Sequence, residues 1–422
     1  MEGGEFKLER VLVAHRGDVA RRLLRWYRER DVETVIAFSE PDAEASWLDE
    51  ADYDAYLNGR TVQETYLHAD RVVAAAMDAG CDALHPGNGF LAEDTELYVA
   101  ANNANLAIIG GDPTVVAHAV DRTIQRARAE ALDIPVIPAT SILSPESDGV
   151  GEGSAVPLPV WVRARGGRKL GRVERLDDLV EAVARARVRS KERFGHEHLY
   201  LEHDVGDAHV LSTTVLGDRR QRVVSLGTSK AHAHGPDGVT WLEELGPGFD
   251  DEHLVAQARE LVRTMRWVGP ATVRWVRPGG TTTFLQSVTM RLTTAFDLTE
   301  QVLGVDLIAA HHDSLVGRDL GWPDEPVVPK RTGLQARLLH GDASGVATEG
   351  VLETLRLPAC ASLGVDEGAE LGPHTEPLLA KITVVEDTRE AAVEALRRAL
   401  DEVEVAGVPT NLDGLREVAA RL

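Results

Sequence analysis

Residues 271–300, ATVRWVRPGGTTTFLQSVTMRLTTAFDLTE, read as two β-strands joined at Pro278-Gly279-Gly280, then a Thr-rich segment, then a helix. Pro presets φ for a turn and the glycines permit positive φ, so the β-branched and aromatic runs on either side are expected to pair as an antiparallel hairpin. In α/β proteins ligands gather at the carboxyl ends of strands, so chemistry is expected just after Phe284. What stands there is Gln286, Ser287 and Val288, none of which ionises near neutral pH. Either a catalytic strand has lost its catalysts here, or it never had any.

Outward from the hairpin, a chain of 422 residues with 43% apolar residues is too long for one ordinary core and is expected to divide into two or three domains. The runs RVLVAH, TVIAFS, ALHPG and LAIIGG alternate with helical segments, which predicts a parallel, doubly wound unit from Arg10 to about Ala117. The stretch TVVAHAVDRTIQRARAEAL predicts one helix, IPVIPAT a short strand, and the Ser-, Gly- and Pro-rich SILSPESDGVGEGSAVPLP an exposed loop. VWVRARGGRKLGRVERLDDLVEAVARARVRS reads as a strand, a basic turn and an amphipathic helix, and LYLEHDV, AHVLSTTVLG and QRVVSLGTSKAHAH as closely spaced strands. LTEQVLGVDLIAAHHDSLVG reads as one helix, and the composition break RDLGWPDEPVVPKRTG places a boundary near residue 325. QARLLH and AKITVVED predict strands in the tail, and TREAAVEALRRALDEVEV a helix.

Charge and composition exclude several functions. With 68 acidic against 45 basic residues the net charge of −23 repels polyanions, so nucleic-acid binding is not expected. No apolar run reaches membrane length and the start MEGGEFKLER has no signal-peptide core, so a cytoplasmic protein is expected. Cys81 and Cys360 are too few for a disulfide framework or a zinc site and read as structural thiols. There is no Gly-Lys dipeptide for a P-loop, no His-Glu-x-x-His and no nucleophile elbow. His196, His198 and His203 with Glu197, and the pair His232 and His234, lack a third fixed ligand and read as solvated rather than metal-binding. ARGGRKLGR, residues 164–172, reads equally as a phosphate-wrapping turn and as an exposed basic turn. HPGNGFLAED, residues 85–94, is a shaped loop at a strand end, its glycines and Pro specifying one backbone turn.

The order of residues in that loop, together with VLVAHRGDVARRLLR, YLEHDV, AHVLSTTVL, LTEQVLGVDLI and GVPTNLDGL, resembles the biotin carboxylase family, from about Leu8 to about Val418. The resemblance implies an α/β fold with a doubly wound N-terminal domain (1–120), an ATP-grasp region (121–325) with a lid at about 138–205, and a small α+β C-terminal domain (326–422). Members of the family bind Mg-ATP, activate bicarbonate and carboxylate biotin on a carrier protein. They are commonly dimers, and the expected partners here are a second copy, an active biotin carboxylase, a biotin carrier or a carboxyltransferase. No Met-Lys dipeptide occurs, so the biotin attachment motif is absent.

Carried over position by position, the resemblance puts Arg274 and Gln286 at the two metal-binding carboxylates and Val288 at the following Asn. No metal is therefore expected. The family's base toward bicarbonate falls at Ala295, its signature-loop Tyr at Asn88, and its bicarbonate-site Lys at Thr240, with Lys230 as a substitute. Its two ATP-binding lysines fall at Arg122 and Arg163, which keep charge and change geometry. Retained are Glu202 at the adenine hinge, the nucleotide contact His209, Arg291 after the metal strand, Arg337 of the biotin site beside Gln335, and Lys381. The resemblance thus implies a non-catalytic relative that binds ATP, if at all, without Mg²⁺ through Arg122, Arg163 and Arg274. The alternative is an active, diverged ligase that uses Asp297 or Glu300, although Asp297 reads better as a helix cap.

Overall fold

Strands β1 (Arg10–Val13), β2 (Glu33–Phe38), β3 (Tyr53–Tyr56), β4 (Ala83–His85) and β5 (Ala107–Ile108) form a parallel sheet in the order β3-β2-β1-β4-β5. Val11, Leu12 and Val13 are wholly buried, as are Val35, Ile36 and Ala37. Coverage of both faces explains why these strands are continuous apolar runs rather than alternating ones. The computed structural model describes residues 8–422 apart from 166, 195, 236–237, 250, 280–281, 319–320, 323–324 and 343–344. The chain start read for a targeting segment, Gly166 of the basic turn and Gly280 of the hairpin turn lie outside the described residues.

A second, antiparallel sheet, ordered β7-β6-β8, is made by β6 (Val160–Ala164), β7 (Lys169–Val173) and β8 (Leu199–His203). The helix Leu179–Phe194 covers it, and Val160, Val162, Leu179, Val183, Leu199 and Leu201 form a separate apolar core. Two expectations change here. The basic turn leads into a strand, because KLGRV pairs back on β6 before the helix begins. The segment 141–159 is not simply exposed, since Leu143 and Val156 are buried in this same core.

The third sheet is the largest. It contains β9 (Ala208–Gly217), β10 (Val223–His234), β11 (Thr240–Leu245), β12 (Gly269–Pro278), β13 (Phe284–Thr289) and β14 (Thr332–Leu339), followed by the strands Leu378–Glu386 and Ala361–Leu363, in the order β13-β12-β9-β10-β11-β14-378-to-386-361-to-363. Pairing of Leu242 with Ala336 and of Glu243 with Gln335 carries it from the middle region into the C-terminal one. The helices Arg389–Asp401 and Leu412–Arg421 bury Leu396, Leu400 and Leu415 in the C-terminal core. The architecture is the expected α/β one. Among the described residues no helix is long and apolar enough to cross a membrane.

Two helices read as continuous are broken. Asp121 interrupts the first by accepting from the backbone N–H groups of Thr123 and Ile124 at 2.8 and 3.3 Å, giving Pro113–Ala119 and Arg122–Glu130. Gly304, at φ 68°, ends the second after Phe296–Leu303, and Asp306 caps the next helix, Leu307–Val316. The segment IPVIPAT makes only isolated bridges, Val136 to Leu285 and Ala139 to Glu202.

A histidine cluster lies where the helix Leu307–Val316 packs on the N-terminal sheet. His85 and His311 meet edge to face at 6.2 Å, His312 stacks on Trp26 at 4.9 Å, and His312 Nε2 is 2.8 Å from the Tyr27 hydroxyl. Neither ring nitrogen of His311 has a hydrogen-bond partner, and burial lowers its pKa to about 3 and that of His312 to about 4. The folded rings are neutral, whereas the unfolded ones take up protons near pH 6.5. Stability is therefore expected to be level above pH 6.5 and to fall toward pH 4, by at most about 1.4 kcal/mol per pH unit for each histidine. Urea unfolding from pH 8 to pH 4.5 measures this, and His311→Leu should flatten the decline; an equally steep decline in that variant contradicts it.

Candidate functional site

The hairpin forms as predicted, with one irregularity. Arg274 lies opposite Ser287 but Trp275 lies opposite Leu285, which leaves Gln286 as an extra, unopposed residue on β13. Such a bulge bends a strand and re-aims the side chains around it. The backbone there is held from outside the sheet. Arg122 Nη1 donates to the Gln286 carbonyl at 3.1 Å, and the buried Gln125 side chain accepts from Val288 N at 2.9 Å and donates to Val288 O at 2.7 Å. Gln125 thus acts as an additional ladder residue on the edge of β13. Val288 itself is buried within the apolar core.

Arg274 is partly buried and reaches across the sheet to the β10–β11 connection. Its Nη2 lies 2.7 Å from His234 Nε2 and 3.3 Å from Thr240 Oγ1. A guanidinium only donates, so His234 must accept and its ring is neutral. Burial, followed by the charge of Arg274, lowers the His234 pKa to about 4. Arg274 is pushed down to about 10, first by burial and then by Arg337, Arg122 and Arg163, with Glu243 opposing.

Around it Arg163, Arg337 and Glu244 are paired. Arg163 Nη2 meets Glu202 at 2.6 Å and its Nη1 donates to the Gly167 carbonyl at 2.6 Å. Arg337 Nη2 meets Glu243 at 2.5 Å and its Nη1 donates to the Thr240 carbonyl at 3.0 Å, while Ser229 Oγ donates to Glu243 at 2.6 Å. Glu244, almost wholly buried, takes His232 at 2.6 Å and Arg389 at 2.8 Å. Burial alone would raise its pKa, but these two partners hold it below the usual carboxylate value. His232 and His234 are therefore not solvated, because the end of β10 packs against β11 and the C-terminal helix rather than against water.

Arg291 and Arg337 border a cavity of about 300 Å³ whose walls include Asn88, Trp241, His340 and Asn411. Arg291 donates to the Asn88 carbonyl at 2.5 Å and pairs with Glu93 at 3.1 Å. A second cavity, of only about 20 Å³, lies between Arg122, Tyr200, Glu202, Leu285 and Gln286. The structure thus brings Arg122, Glu202 and Gln286 together around one space and Arg291 and Arg337 around another. His209 lies exposed on β9 opposite Arg277 and lines neither.

The sequence matches three families in succession: "Biotin carboxylase, N-terminal domain" over residues 7–116, "Carbamoyl-phosphate synthase L chain, ATP binding domain" over 121–321, and "Biotin carboxylase C-terminal domain" over 335–421. The chain belongs to the biotin carboxylase family. It is 26% identical to a biotin carboxylase of Halalkalibacterium halodurans, across 97% of this chain and 93% of that one. It is 28% identical to the biotin-dependent acyl-coenzyme A carboxylase alpha3 subunit of Mycobacterium leprae, across 98% and 71%. The fold superposes on the biotin carboxylase domain of the Hydrogenobacter thermophilus 2-oxoglutarate carboxylase with a TM-score of 0.90 at 23% identity, covering 99% of this chain and 94% of that one. The biotin carboxylase of Campylobacter jejuni gives 0.88 at 21% identity, covering 98% and 95%.

A divalent cation does not fit the biotin carboxylase hairpin of this chain. Arg274 brings charge of the same sign, Gln286 offers one amide oxygen and Val288 none, whereas a hard cation needs several oxygen donors. Among the described residues no group of three or more His, Cys, Asp or Glu is placed to hold a metal ion. The two acids proposed as replacement ligands are engaged elsewhere. Asp297 Oδ2 pairs with Lys381 at 2.9 Å and its Oδ1 accepts from Gln335 at 2.9 Å, while Glu300 accepts from Leu307 N at 2.8 Å and from Arg22 at 3.4 Å. Asp297 is consequently not a cap: Ala295 holds the N-cap position, and the buried ammonium draws the carboxylate away. His234, Glu243 and Gln125 escaped sequence reasoning, since their roles depend on partners far along the chain. The one visible signal was the His-x-His spacing of 232 and 234.

Lys381 is 1% exposed and also pairs with Asp18 at 2.6 Å. Burial opposes its charge, but Asp18 and Asp297 outweigh it and hold its pKa above the usual lysine value. Lys381→Met should destabilise the protein by about 3–5 kcal/mol, because two carboxylates lose their counter-ion in a buried setting. In urea unfolding, the double variant Lys381→Met with Asp297→Asn should lose less than the two single losses combined. A loss below about 1 kcal/mol for Lys381→Met would show that the triad is as weak as an exposed pair.

Proposed function

We propose that this chain is a non-catalytic biotin carboxylase-like subunit with a structural or regulatory role in a biotin-dependent acyl-CoA carboxylase complex of the cytoplasm. It would act there as a homodimer, or as a heteromer with an active biotin carboxylase, a biotin carrier or a carboxyltransferase. The observation that carries this reading is Arg274, a guanidinium hydrogen-bonded to His234 and Thr240 where the family resemblance requires a metal-binding carboxylate. Ala295, at the position of the family base, has only a methyl group to offer. Losing metal-ion and general-base catalysis together removes several kcal/mol of transition-state stabilisation from each source.

The cavity of about 300 Å³ beside Arg291 and Arg337 supports a binding role, because it lies within the size range of small-molecule sites. The relative in Mycobacterium leprae, a carboxylase subunit by name, supports membership of such a complex. Against the diverged-ligase reading stands the engagement of Asp297 by Lys381 and Gln335 and of Glu300 by Leu307 N.

The test is ATP hydrolysis by the purified chain with Mg²⁺ and free biotin, with and without bicarbonate. No bicarbonate-dependent rate above background is expected. A Mg²⁺-dependent, bicarbonate-stimulated rate would revive the enzyme and sink the proposal. Affinity purification from native extract should recover a biotinylated carrier or a carboxyltransferase with the chain.

A further inference from the structure

The helix Leu179–Phe194 has two apolar sides. Leu179, Val183 and Ala186 are buried against the sheet β7-β6-β8, yet Val180 and Val188 on the other side are 49% and 58% exposed. With Ala184, also exposed, they stand at positions i, i+4 and i+8 and follow one another on successive turns. The outer side of a surface helix is ordinarily polar. A row of small apolar residues there fits a contact with another helix.

The charges around this row are divided by position. Asp177, Asp178 and Glu181 precede Ala184, and Arg185, Arg189 and Lys191 follow it, all of them exposed. The helix dipole favours that distribution, but it does not account for the exposed valines. Within the chain Arg175 pairs with Asp177 at 3.2 Å, Arg185 with Glu181, and Lys191 with Glu197 at 2.8 Å. Exposed pairs of this kind contribute little, so their members are free to exchange partners.

The pattern is symmetric about Ala184. Turned end for end, the row falls on itself: Val180 comes level with Val188 of a second copy, Ala184 with its own counterpart, and Asp177 with Lys191. Glu181 then flanks Arg185 of the other copy. An antiparallel pair therefore joins opposite charges, whereas a parallel pair sets like against like. The small central residue permits close approach. At an interaxial distance of about 8–10 Å, with Cα atoms at a radius of about 2.3 Å, the two Ala184 Cα atoms stand roughly 3.5–5.5 Å apart.

We propose that the exposed face of the helix Leu179–Phe194 is a two-fold docking surface for a second copy of this chain, with Ala184 on the axis. One such helix pair covers less than the roughly 800 Å² per partner of a standard interface, so it joins copies at high local concentration rather than from dilute solution. The inference stands on the helix alone and not on the absence of catalysis.

Disulfide trapping of the concentrated full chain tests it. In a Cys360→Ser background, which leaves the buried Cys81, Ala184→Cys should form a disulfide-linked dimer about tenfold faster than Val99→Cys, a position 49% exposed on another helix. Adding Val188→Asp should reduce the rate to the Val99→Cys level, because a charge enters the apolar row. Asp177→Lys should also slow the reaction, and Asp177→Lys combined with Lys191→Asp should restore it. An unchanged Tm shows that each variant is folded, and the charge exchange decides the matter should Val188→Asp fail to fold. Trapping of Ala184→Cys no faster than of Val99→Cys, a rate indifferent to both Val188→Asp and the charge exchange, or capture of another protein in place of a second copy overturns the proposal. None of these outcomes bears on bicarbonate-dependent turnover, so the two readings fail separately.

Discussion

One buried ammonium group joins the three regions of this protein. Lys381 belongs to the C-terminal strand Leu378–Glu386, Asp18 to the first helix of the N-terminal domain, and Asp297 to the helix that follows the hairpin. Each ion alone would cost several kcal/mol to remove from water, so docking of the regions is favoured when all three are in place. Both carboxylates stand in the first turn of their helices, where the positive end of the helix dipole favours negative charge. Gln335 donates to Asp297, and the face of Phe296 lies 5.1 Å from the ammonium. The continuous sheet across β11 and β14 supplies alignment between the middle and C-terminal regions; the triad supplies a reason for the N-terminal domain to join them.

The cleft inverts this arrangement. At Lys381 one cation is shared by two anions, and nothing remains to be added. Beside the hairpin the four guanidiniums of Arg122, Arg163, Arg274 and Arg337 meet two carboxylates, Glu202 and Glu243, and positive charge is left in excess. The chain as a whole carries −23, so this local excess is set by placement and not by composition. Low-dielectric walls strengthen the field of such a cluster and make it a point of attraction for small anions.

Much of this was legible in the sequence. Continuous apolar runs gave the parallel sheet, and the Pro-Gly turn gave the hairpin, so that Arg274 and Gln286 were expected on neighbouring strands, where they stand. The bulge at Gln286 was not legible, because the groups that hold it, Arg122 and Gln125, reach it from a distant helix. The helix breaks at Asp121 and Gly304 were hidden by apolar spacing that continues through both. KLGRV passed for a turn because its Lys, Gly and Arg mask a strand whose pairing is settled only by the facing β6. His232, His234 and Asp297 were misread for a shared reason: a polar side chain near a strand or helix end looks solvated or capping until its tertiary partner is known.

The hairpin also explains how its chemistry could change without loss of fold. Its backbone is fixed by Gln125 on Val288 and by Arg122 on the Gln286 carbonyl, and Val288 packs into the core, so the identities of residues 274 and 286 contribute little to keeping the strands in place. Two carboxylates at those positions would repel each other and need a cation between them to be stable. Arginine and glutamine remove that repulsion, and the scaffold then stands without a metal. What replaces the repulsion is the desolvation of Arg274, relieved only in part by His234 and Thr240.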